Sequence, residues 1–414
     1  MREPDCCAEK QPQPLPLKEA LDRIFKIITP ARGTEQLPLK QALGRILAED
    51  VYSTIDLPPF PNSAMDGYAV RTGDLRKASK LRVIGTAWAG QPFSAPLSPG
   101  ECVRILTGAA LPENADAVLM QEHARREGDH IQVAAEPKPG EHIRPRGEEL
   151  KAGDRLLSEG EYLGPAEIGL LASIGMPAVS VRRKLRVAFF STGDELRAIT
   201  EPLAFGEIHD SNRYVLDALL TGLGIETIDM GVIRDDKDAI RRALLEASDQ
   251  ADAVISAGGA SVGDADFITE VTREIGHIDF WKVAIKPGKP FAFGRINSSF
   301  FFGLPGNPVS MTVTFQQLAR PALLRLMGAP IIEPLRLKAV CTNRLYKLPG
   351  RLEFQRGVYH CTPNGGYTVT GLTCQGASQM TSLSLANCFI ILPTENSGIE
   401  AGQTVEIEPF HTSY

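Results

Sequence analysis

Short polar runs that could bind a charged ligand recur in the middle of the chain, and each directly follows an apolar run. They are STGDEL (191–196), GVIRDD (231–236), SAGGASVGDAD (256–266) and KPGKP (286–290). Carboxylates bind Mg²⁺, glycine backbone N–H groups can bind a phosphate at close range, and lysines add positive charge. Together, these residue types predict a site for a phosphate-bearing ligand held with magnesium, and a pyrophosphate in particular.

Each run also has an ordinary structural interpretation. Acidic residues cap helices, as Asp236 could do for the segment that follows it, and glycine and lysine are typical of solvated turns. The chain has no GxxxxGK[ST] and no GxGxxG sequence, which counts against a standard ATPase and a dinucleotide dehydrogenase.

Two proline-rich segments add to this set. In GLPGNPVS (303–310), Pro305 and Pro308 stiffen the approach to a helix whose N-terminus can bind an anion. In PPFPNSAMDGYAV (58–70), three prolines precede Asp66. Because proline fixes φ, we predict a stiff turn that presents this carboxylate.

The elements around the polar runs predict how they are positioned. Between residues 185 and 333, apolar strand-like runs alternate with amphipathic helical runs, joined by short links. This alternation predicts a central three-layer α/β/α domain with a parallel sheet. Ligands of such sheets bind at the carboxyl ends of the strands, so the four polar runs are expected to converge on one crevice.

The flanking sequence predicts further domains. Residues 15–50 and 151–184 are mainly helical, residues 51–150 consist of short apolar runs separated by turn residues, and residues 334–414 show the alternation of a small β-barrel or sandwich. The predicted division is a disordered lead (1–14), a discontinuous linking domain (15–50 and 151–184), a β-rich domain (51–150), an α/β domain (185–333) and a C-terminal β-barrel (334–414).

Composition limits the possible functions. The 414 residues are 43% hydrophobic and 23% charged, as in a soluble globular protein, and the net charge of −6 does not favour nucleic acid or an acidic membrane surface. We expect no membrane span and no secretory signal. The seven cysteines include no CxxC pair, which argues against a disulfide framework and a structural zinc site. A cytoplasmic location is expected.

Six segments in this order resemble the molybdopterin molybdenumtransferase (MoeA) family, which includes the E domain of gephyrin: PPFPNSAMDGYAV, FSTGDEL, HDSNRY, SAGGASVGDADF, WKVAIKPGKPFAFG and GLPGNPVS. The resemblance covers roughly residues 15 to 410. It implies a transferase of molybdenum cofactor biosynthesis that inserts molybdate into adenylylated molybdopterin, releases AMP and requires Mg²⁺. It also implies an elongated four-domain subunit that forms a homodimer, with the active site in the intersubunit cleft.

The resemblance implies a set of site residues. Asp66, Glu195, Asp235 and Asp266 are expected to be catalytic, and the last three to bind Mg²⁺. The residues expected to bind substrate are Thr107, Ser191, Gly258, Gly259, Ser261, Lys282, Lys286, Lys289, Pro305, Pro308, Arg356 and Ser378. Lys286, Lys289 and Arg356 would attract molybdate and the substrate phosphates, and Asp66 would position a group from across the dimer.

Two departures and two alternatives stay open. Ala260 stands where the family usually has valine, and Glu149 where aspartate is common. The first alternative is a molybdopterin adenylyltransferase built on the same α/β domain, although that family favours a GGTG-type loop. The second is a non-enzymatic scaffold of the gephyrin type. A transient contact with the adenylyltransferase that delivers the substrate is also possible.

Overall fold

The computed structural model describes residues 13–77, 79–258 and 267–410. Gly259, Ala260, Ser261 and Asp266 therefore lie outside the described residues. The chain divides into two compact units, which we describe separately. The α/β–barrel unit comprises Met1–Glu35, Gly44–Ile46 and Val181–Tyr414, and the β-rich unit comprises Gln36–Leu43 and Leu47–Ser180. None of the helices in the described ranges has the length and apolar character needed to cross a bilayer.

The helices and strands follow one another in short segments. The helices are α1 (Leu17–Ile27), α2 (Thr72–Leu75), α3 (Pro165–Ser173), α4 (Asn212–Gly222), α5 (Lys237–Gln250), α6 (Phe267–Ile275), α7 (Pro308–Thr314), α8 (Arg320–Met327) and α9 (Met380–Leu385). The strands are β1 (Thr34–Pro38), β2 (Val51–Tyr52), β3 (Asn62–Ser63), β4 (Gly67–Val70), β5 (Lys80–Ala87), β6 (Glu101–Ile105), β7 (Ala117–Met120), β8 (Ala124–Glu127), β9 (His130–Val133), β10 (Ile143–Arg144), β11 (Arg155–Leu157), β12 (Ala178–Arg182), β13 (Arg186–Thr192), β14 (Leu196–Arg197), β15 (Ile208–His209), β16 (Glu226–Ile233), β17 (Ala253–Ala257), β18 (Gly276–Lys282), β19 (Ile285–Lys286), β20 (Pro290–Ile296), β21 (Ser299–Leu304), β22 (Leu337–Cys341), β23 (Leu345–Tyr346), β24 (Leu352–Cys361), β25 (Tyr367–Gly371), β26 (Cys388–Leu392), β27 (Gly398–Ile399) and β28 (Thr404–Pro409).

The central sheet has the strand order β16-β13-β17-β21-β20-β18. β16, β13, β17 and β21 pair in parallel, whereas β20 runs antiparallel to both of its neighbours. The sheet is therefore mixed rather than wholly parallel. The physical reason is the link of two residues, Asn297 and Ser298, between β20 and β21. So short a link allows only a hairpin, and Asn297 has the left-handed backbone that a tight hairpin turn uses (φ 51°).

Helices cover both faces of this sheet. α1, α4, α7 and α8 pack on one face, and α5 and α6 pack on the other. In β13, Val187 and Phe189 belong to the first face, whereas Ala188 and Phe190 belong to the second, as the two-residue period of a strand requires. The predicted three-layer α/β/α architecture is confirmed.

Two details of the helices follow from local chemistry. Asp236 caps α5, since its carboxylate accepts the backbone N–H groups of Asp238 and Ala239, so the structural interpretation of this acid is correct. The helix that begins at Pro308 is interrupted by a π-helical turn at Phe315–Ala319, which separates α7 from α8. Pro321, which lacks a backbone N–H group, is the second residue after this turn.

The C-terminal strands form a closed barrel. The order β24-β25-β22-β28-β26 closes because β26 also pairs with β24. Its interior includes Val369, Ile390 and Ile407, all fully buried. Of the barrel and the sandwich that the alternation allowed, the structure is the barrel. β19 joins its edge by pairing in parallel with β24, which places Lys286 beside Glu353.

The β-rich unit contains a six-stranded sheet of order β7-β4-β6-β5-β9-β8. Both of its faces are covered, with Tyr68 and Val70 of β4 in one core and Ala69 in the other. Gly67 begins β4, which lies between β7 and β6, and a Cβ atom there would lie 2.0 Å from the carbonyl oxygen of Leu119. Only glycine permits this close approach of neighbouring strands.

Candidate functional site

The carboxyl ends of β13, β17 and β21 meet at one edge of the central sheet. Gly258 follows β17 with a φ of 101°, and a Cβ atom there would lie 2.6 Å from the carbonyl oxygen of Thr192. A Cβ atom on Gly306, which follows Pro305, would lie 3.5 Å from the Cα of Gly258. The structure therefore brings together the predicted positions Ser191, Gly258 and Pro305.

The segment HDSNRY connects these strand ends through two buried side chains. The carboxylate of Asp210 accepts hydrogen bonds from Ser191 Oγ (3.1 Å) and from the backbone N–H of Arg213 (3.2 Å). The amide of Asn212 donates to the carbonyl oxygen of Gly306 (2.6 Å). The predicted site residues did not include Asp210 and Asn212. Their position at the start of α4, within the family-like segment HDSNRY, was the available signal.

Carboxylates gather where β13 and β16 end. The backbone N–H of Asp235 donates to Asp194 Oδ1 (3.4 Å). Burial and the negative charges of Asp194 and Glu195 raise the pKa of Asp235. Asp235 Oδ1 is buried and accepts no hydrogen bond from the described residues. Two predicted metal ligands, Glu195 and Asp235, are thus near each other, and Asp194 is an acid that the prediction missed.

This acidic cluster is looser than a complete metal-ligand set. Within residues 13–77, 79–258 and 267–410, no three His, Cys, Asp or Glu side chains are arranged to hold a metal ion. The raised pKa of Asp235 is compatible with this spacing, because charges interact over greater distances than the ~2.0–2.1 Å of Mg²⁺–oxygen bonds. Asp266, the third predicted ligand, is outside these ranges.

The predicted lysines lie where β18, β19 and β20 meet. Lys282 is buried at the end of β18 opposite Pro290, and the backbone N–H of Val283 donates to the carbonyl oxygen of Lys289 (3.0 Å). The register of β20 with β21 places the turn before Pro290 at the same sheet edge as Pro305. Lys286 forms an ion pair with Glu353 of the barrel (3.2 Å), so its charge is partly compensated.

The start of α7 contacts the barrel. Pro308 is the first residue of this helix, and the backbone N–H of Val309 donates to the carbonyl oxygen of Ala377 (3.0 Å). Ser378, which is exposed, follows Ala377 directly. The structure therefore places the predicted Ser378 close to the predicted Pro308, although the two are 70 residues apart in the sequence.

Arg356 is only 1% exposed and is buried between β24 and the loop that leads to α9. Its guanidinium donates to Ser382 Oγ (3.1 Å) and to the carbonyl oxygens of Cys374 (3.1 Å) and Gly376 (3.0 Å). Burial lowers the pKa of this guanidinium. The observed role of Arg356 is to fix the loop that leads to Ser378, and its direct contact with substrate stays a prediction.

In the β-rich unit, Asp66 and Thr107 are in direct contact. Asp66 Oδ1 accepts hydrogen bonds from the backbone N–H (2.8 Å) and the hydroxyl (2.7 Å) of Thr107. These two bonds, together with the positive charge of Arg104, hold the pKa of Asp66 below its usual range. The turn before Asp66 is braced by Ser63, whose Oγ donates to the carbonyl oxygen of Met65. The carboxylate is thus ionised and firmly positioned.

Fold and site together define a multidomain α/β protein with acidic and basic groups at the carboxyl edge of its sheet. Three family profiles match the chain: "MoeA N-terminal region (domain I and II)" over residues 15–175, "Probable molybdopterin binding domain" over 188–325, and "MoeA C-terminal region (domain IV)" over 338–410.

Relatives match over almost the whole chain. The molybdopterin molybdenumtransferase of Haemophilus influenzae is 44% identical over 399 residues, which are 96% of this chain and 99% of the relative. That of Nostoc sp. is 36% identical over 95% of this chain and 93% of the relative. The crystal structure of the molybdopterin biosynthesis MoeA protein from Pyrococcus horikoshii OT3 is 31% identical, with a TM-score of 0.83 over 96% of this chain and 100% of that one.

The chain therefore belongs to the molybdopterin molybdenumtransferase (MoeA) family, as its six sequence segments predicted. The prediction of an enzyme, a transferase of molybdenum cofactor biosynthesis, is confirmed at this level.

Proposed function

We propose that this protein inserts molybdate into adenylylated molybdopterin and releases AMP in a Mg²⁺-dependent reaction. Family membership supports the substrate class. The observation that carries the chemistry is the group of Asp194, Glu195 and Asp235 at the carboxyl edge of the sheet, at the same edge as Gly258 and the Lys289 turn. Such an edge suits a phosphate-bearing ligand that comes with a divalent cation.

The residues present fit Mg²⁺. Asp235 Oδ1 is buried and lacks a hydrogen-bond partner among the described residues, and its ionised form is disfavoured by two neighbouring charges. A divalent cation would supply that partner and offset the repulsion. Glu195 and Asp235 would hold it, with remaining positions left to water and phosphate oxygens, as is usual for Mg²⁺. When bound, the ion would neutralise charge on the phosphate oxygens.

The chain's own groups would do the rest of the binding. Gly258 allows the end of β17 to pass close to Thr192 at this edge, and Lys282 and Lys289 bring positive charge that attracts the molybdate dianion and phosphates. We propose that Asp66 contributes from the β-rich domain of a second copy in a homodimer, as the family resemblance implies. We also propose a cytoplasmic location, which the free thiols support: Cys102, Cys341, Cys361, Cys374 and Cys388.

One assay tests the proposal. The purified protein is incubated with adenylylated molybdopterin, molybdate and Mg²⁺, and AMP is measured by chromatography. We expect AMP release that requires both molybdate and Mg²⁺. Adenylylation of molybdopterin from Mg-ATP would instead identify an adenylyltransferase, and the absence of both reactions would favour a scaffold.

A matched pair of variants ties the activity to the site. Glu195→Gln should slow AMP release by about 10-fold to 100-fold, since it removes one charge from the cluster. Glu201→Gln is the control, because Glu201 lies on the other side of the short strand β14 and its carboxylate accepts the backbone N–H of Ala198 (3.0 Å). Equal activity of the two variants would show that the site is placed wrongly even if the reaction is right.

A further inference from the structure

An exposed tryptophan lies at the same edge of the β-rich sheet as Asp66 and Thr107. β6 is the central strand here, with β4 on one side and β5 on the other. Asp66 directly precedes β4, Thr107 lies just past the end of β6, and Trp88 directly follows β5. Because β5 and β6 are parallel, their ends meet at one edge.

The contacts between the two strand ends are specific. Ala87 is the partner of Ile105 in the ladder, and the backbone N–H of Leu106 donates to the carbonyl oxygen of Ala87 (3.2 Å). Two residues on, a Cβ atom on Gly108 would lie 4.0 Å from the Cβ of Ala89. Residues 87–89 therefore run beside residues 105–108.

Trp88 is held in an unusual state for so large an apolar residue. It is 54% exposed, although its backbone N–H and C=O both pair with Gln91 (3.0 and 2.9 Å) in a closed turn. Its neighbours Ala87, Ala89 and Gly90 are too small to cover the indole. Aromatic side chains of this size normally bury most of their surface, so an exposed indole on a backbone held by this turn is suited to a ligand that stacks on it.

Asp66 supplies a polar group at the same edge. Both of its described hydrogen bonds are on Oδ1, which leaves the lone pairs of Oδ2 for another donor. Since its pKa is lowered by Thr107, the carboxylate is ionised at neutral pH. This edge thus offers a hydrogen-bond acceptor, Asp66 beside β4, and an aromatic ring, Trp88 beside β5. The two strands are separated by β6 and so lie about 10 Å apart.

We propose that this edge binds the pterin ring of the substrate, with Trp88 stacked on the ring and Asp66 Oδ2 accepting hydrogen bonds from its N–H groups. This inference rests on the proposed function. A pterin carries an amino group and a ring N–H side by side, which both donate to a carboxylate. Adenine has its amino group beside an acceptor nitrogen, so it can stack on Trp88 but pairs less well with Asp66.

The first experiment uses the fluorescence of Trp88. The chain has two tryptophans, and Trp281 lies in the α/β–barrel unit against Arg273 (4.2 Å from the guanidinium carbon to the ring centre). In the Trp281→Phe variant, Trp88 is the only indole. Free pterin, which absorbs where tryptophan emits, should quench this variant saturably, and AMP should do so more weakly. In the Trp88→Phe variant, where Trp281 remains, no saturable quenching is expected.

The second experiment measures turnover. Trp88→Ala should raise KM for adenylylated molybdopterin by about 5-fold to about 150-fold, the range of aromatic–base stacking energies converted at about 1.4 kcal/mol per tenfold. The change in kcat should be smaller, and Trp88→Phe should restore most of the affinity because it keeps a ring that can stack.

The outcomes separate this inference from the proposed function. An unchanged KM in Trp88→Ala, or quenching of the same size in Trp88→Phe, would overturn the inference and leave the proposed function intact. A Trp88→Ala variant that binds pterin normally but sediments as a smaller species would make Trp88 a protein-contact residue and also overturn it. Saturable quenching by pterin without any AMP release would support the pterin site and refute the proposed reaction.

Discussion

Replacing Asn212 with alanine removes the hydrogen bond that ties the start of α4 to the Gly306 turn. A neutral hydrogen bond contributes a net ~0.5–1.5 kcal/mol, and an orphaned buried partner costs more. Here Gly306 is exposed, so water can reach its carbonyl group, and the substitution also removes Asn212 Oδ1, a buried atom without a described partner. We therefore expect the free energy of unfolding to fall by only about 1 kcal/mol.

The expected loss of activity is larger than this stability change. Gly306 lies between Pro305 and Pro308 at the sheet edge that carries the candidate site, and its carbonyl group is held by Asn212 at 2.6 Å. Displacement of a positioning group by about 1 Å can cost about 100-fold in rate. We expect AMP release by Asn212→Ala to fall by about 10-fold to 100-fold at a temperature at which the protein is fully folded.

Ser299→Ala is the matched control. Ser299 is also buried, and its hydroxyl lies within hydrogen-bond distance of the carbonyl oxygens of Ser248 and Ala251, at the opposite end of β21, and can donate its one proton to either. Urea unfolding followed by circular dichroism should show similar losses of stability in the two variants, and only Asn212→Ala should lose activity. Equal activities in the folded variants would refute the positioning role of Asn212.

Three further variants test other parts of the structure. Asp66→Asn keeps the oxygen that Thr107 contacts and removes the charge, so AMP release should fall while the thermal midpoint stays. The control is Asp116→Asn, at a carboxylate whose two oxygens accept the backbone N–H and the hydroxyl of Thr72; it should leave AMP release unchanged. The folded state raises the pKa of Asp235 and so favours its protonated form. The contribution of this side chain to the free energy of unfolding is therefore fully present at pH values below the unfolded-state pKa of 3.8, and it is lost as the pH rises through the folded-state pKa. Asp235→Asn should therefore be more stable than the wild type at pH 7, with a difference that disappears on acidification, and Mg²⁺ should raise the melting temperature of the wild type only. In Arg356→Lys, the lysine cannot replace the forked donors of the guanidinium, so calorimetry should show that the free energy of unfolding falls by about 3 kcal/mol. An unchanged melting temperature would contradict the idea that these hydrogen bonds fix the loop.

Much of the fold was predictable because it depends on periodicity. The alternation of strands and helices between residues 185 and 333 is sufficient for three layers, and the rule that parallel strands end at one edge correctly brought Ser191, Gly258 and Pro305 together. The direction of β20 was not predictable in this way, since it depends on the link formed by Asn297 and Ser298. A single left-handed residue decides it, and local composition alone does not identify that residue.

The acidic and amide side chains at helix starts show a second limit on what the local sequence can predict. Asp236 and Asn212 have similar local sequence contexts, and a polar residue at such a position first satisfies the backbone nearby. Asp236 does so in α5, whereas Asn212 donates to a carbonyl group 94 residues away. The difference arises from tertiary packing that brings α4 beside the end of β21, which is information that the sequence around residue 212 does not contain.

Arg356 shows why residue type cannot decide between binding and positioning. An arginine that matches a family's substrate-contact position is naturally interpreted as an anion ligand. In the structure the guanidinium is buried against α9 and the loop before it, where it donates to Ser382 and to the loop carbonyl groups of Cys374 and Gly376. That loop continues into Ala377, which accepts the N–H of Val309 at the start of α7. The observed path by which Arg356 can influence the site is therefore mechanical, through the loop that carries Ser378 to the helix N-terminus.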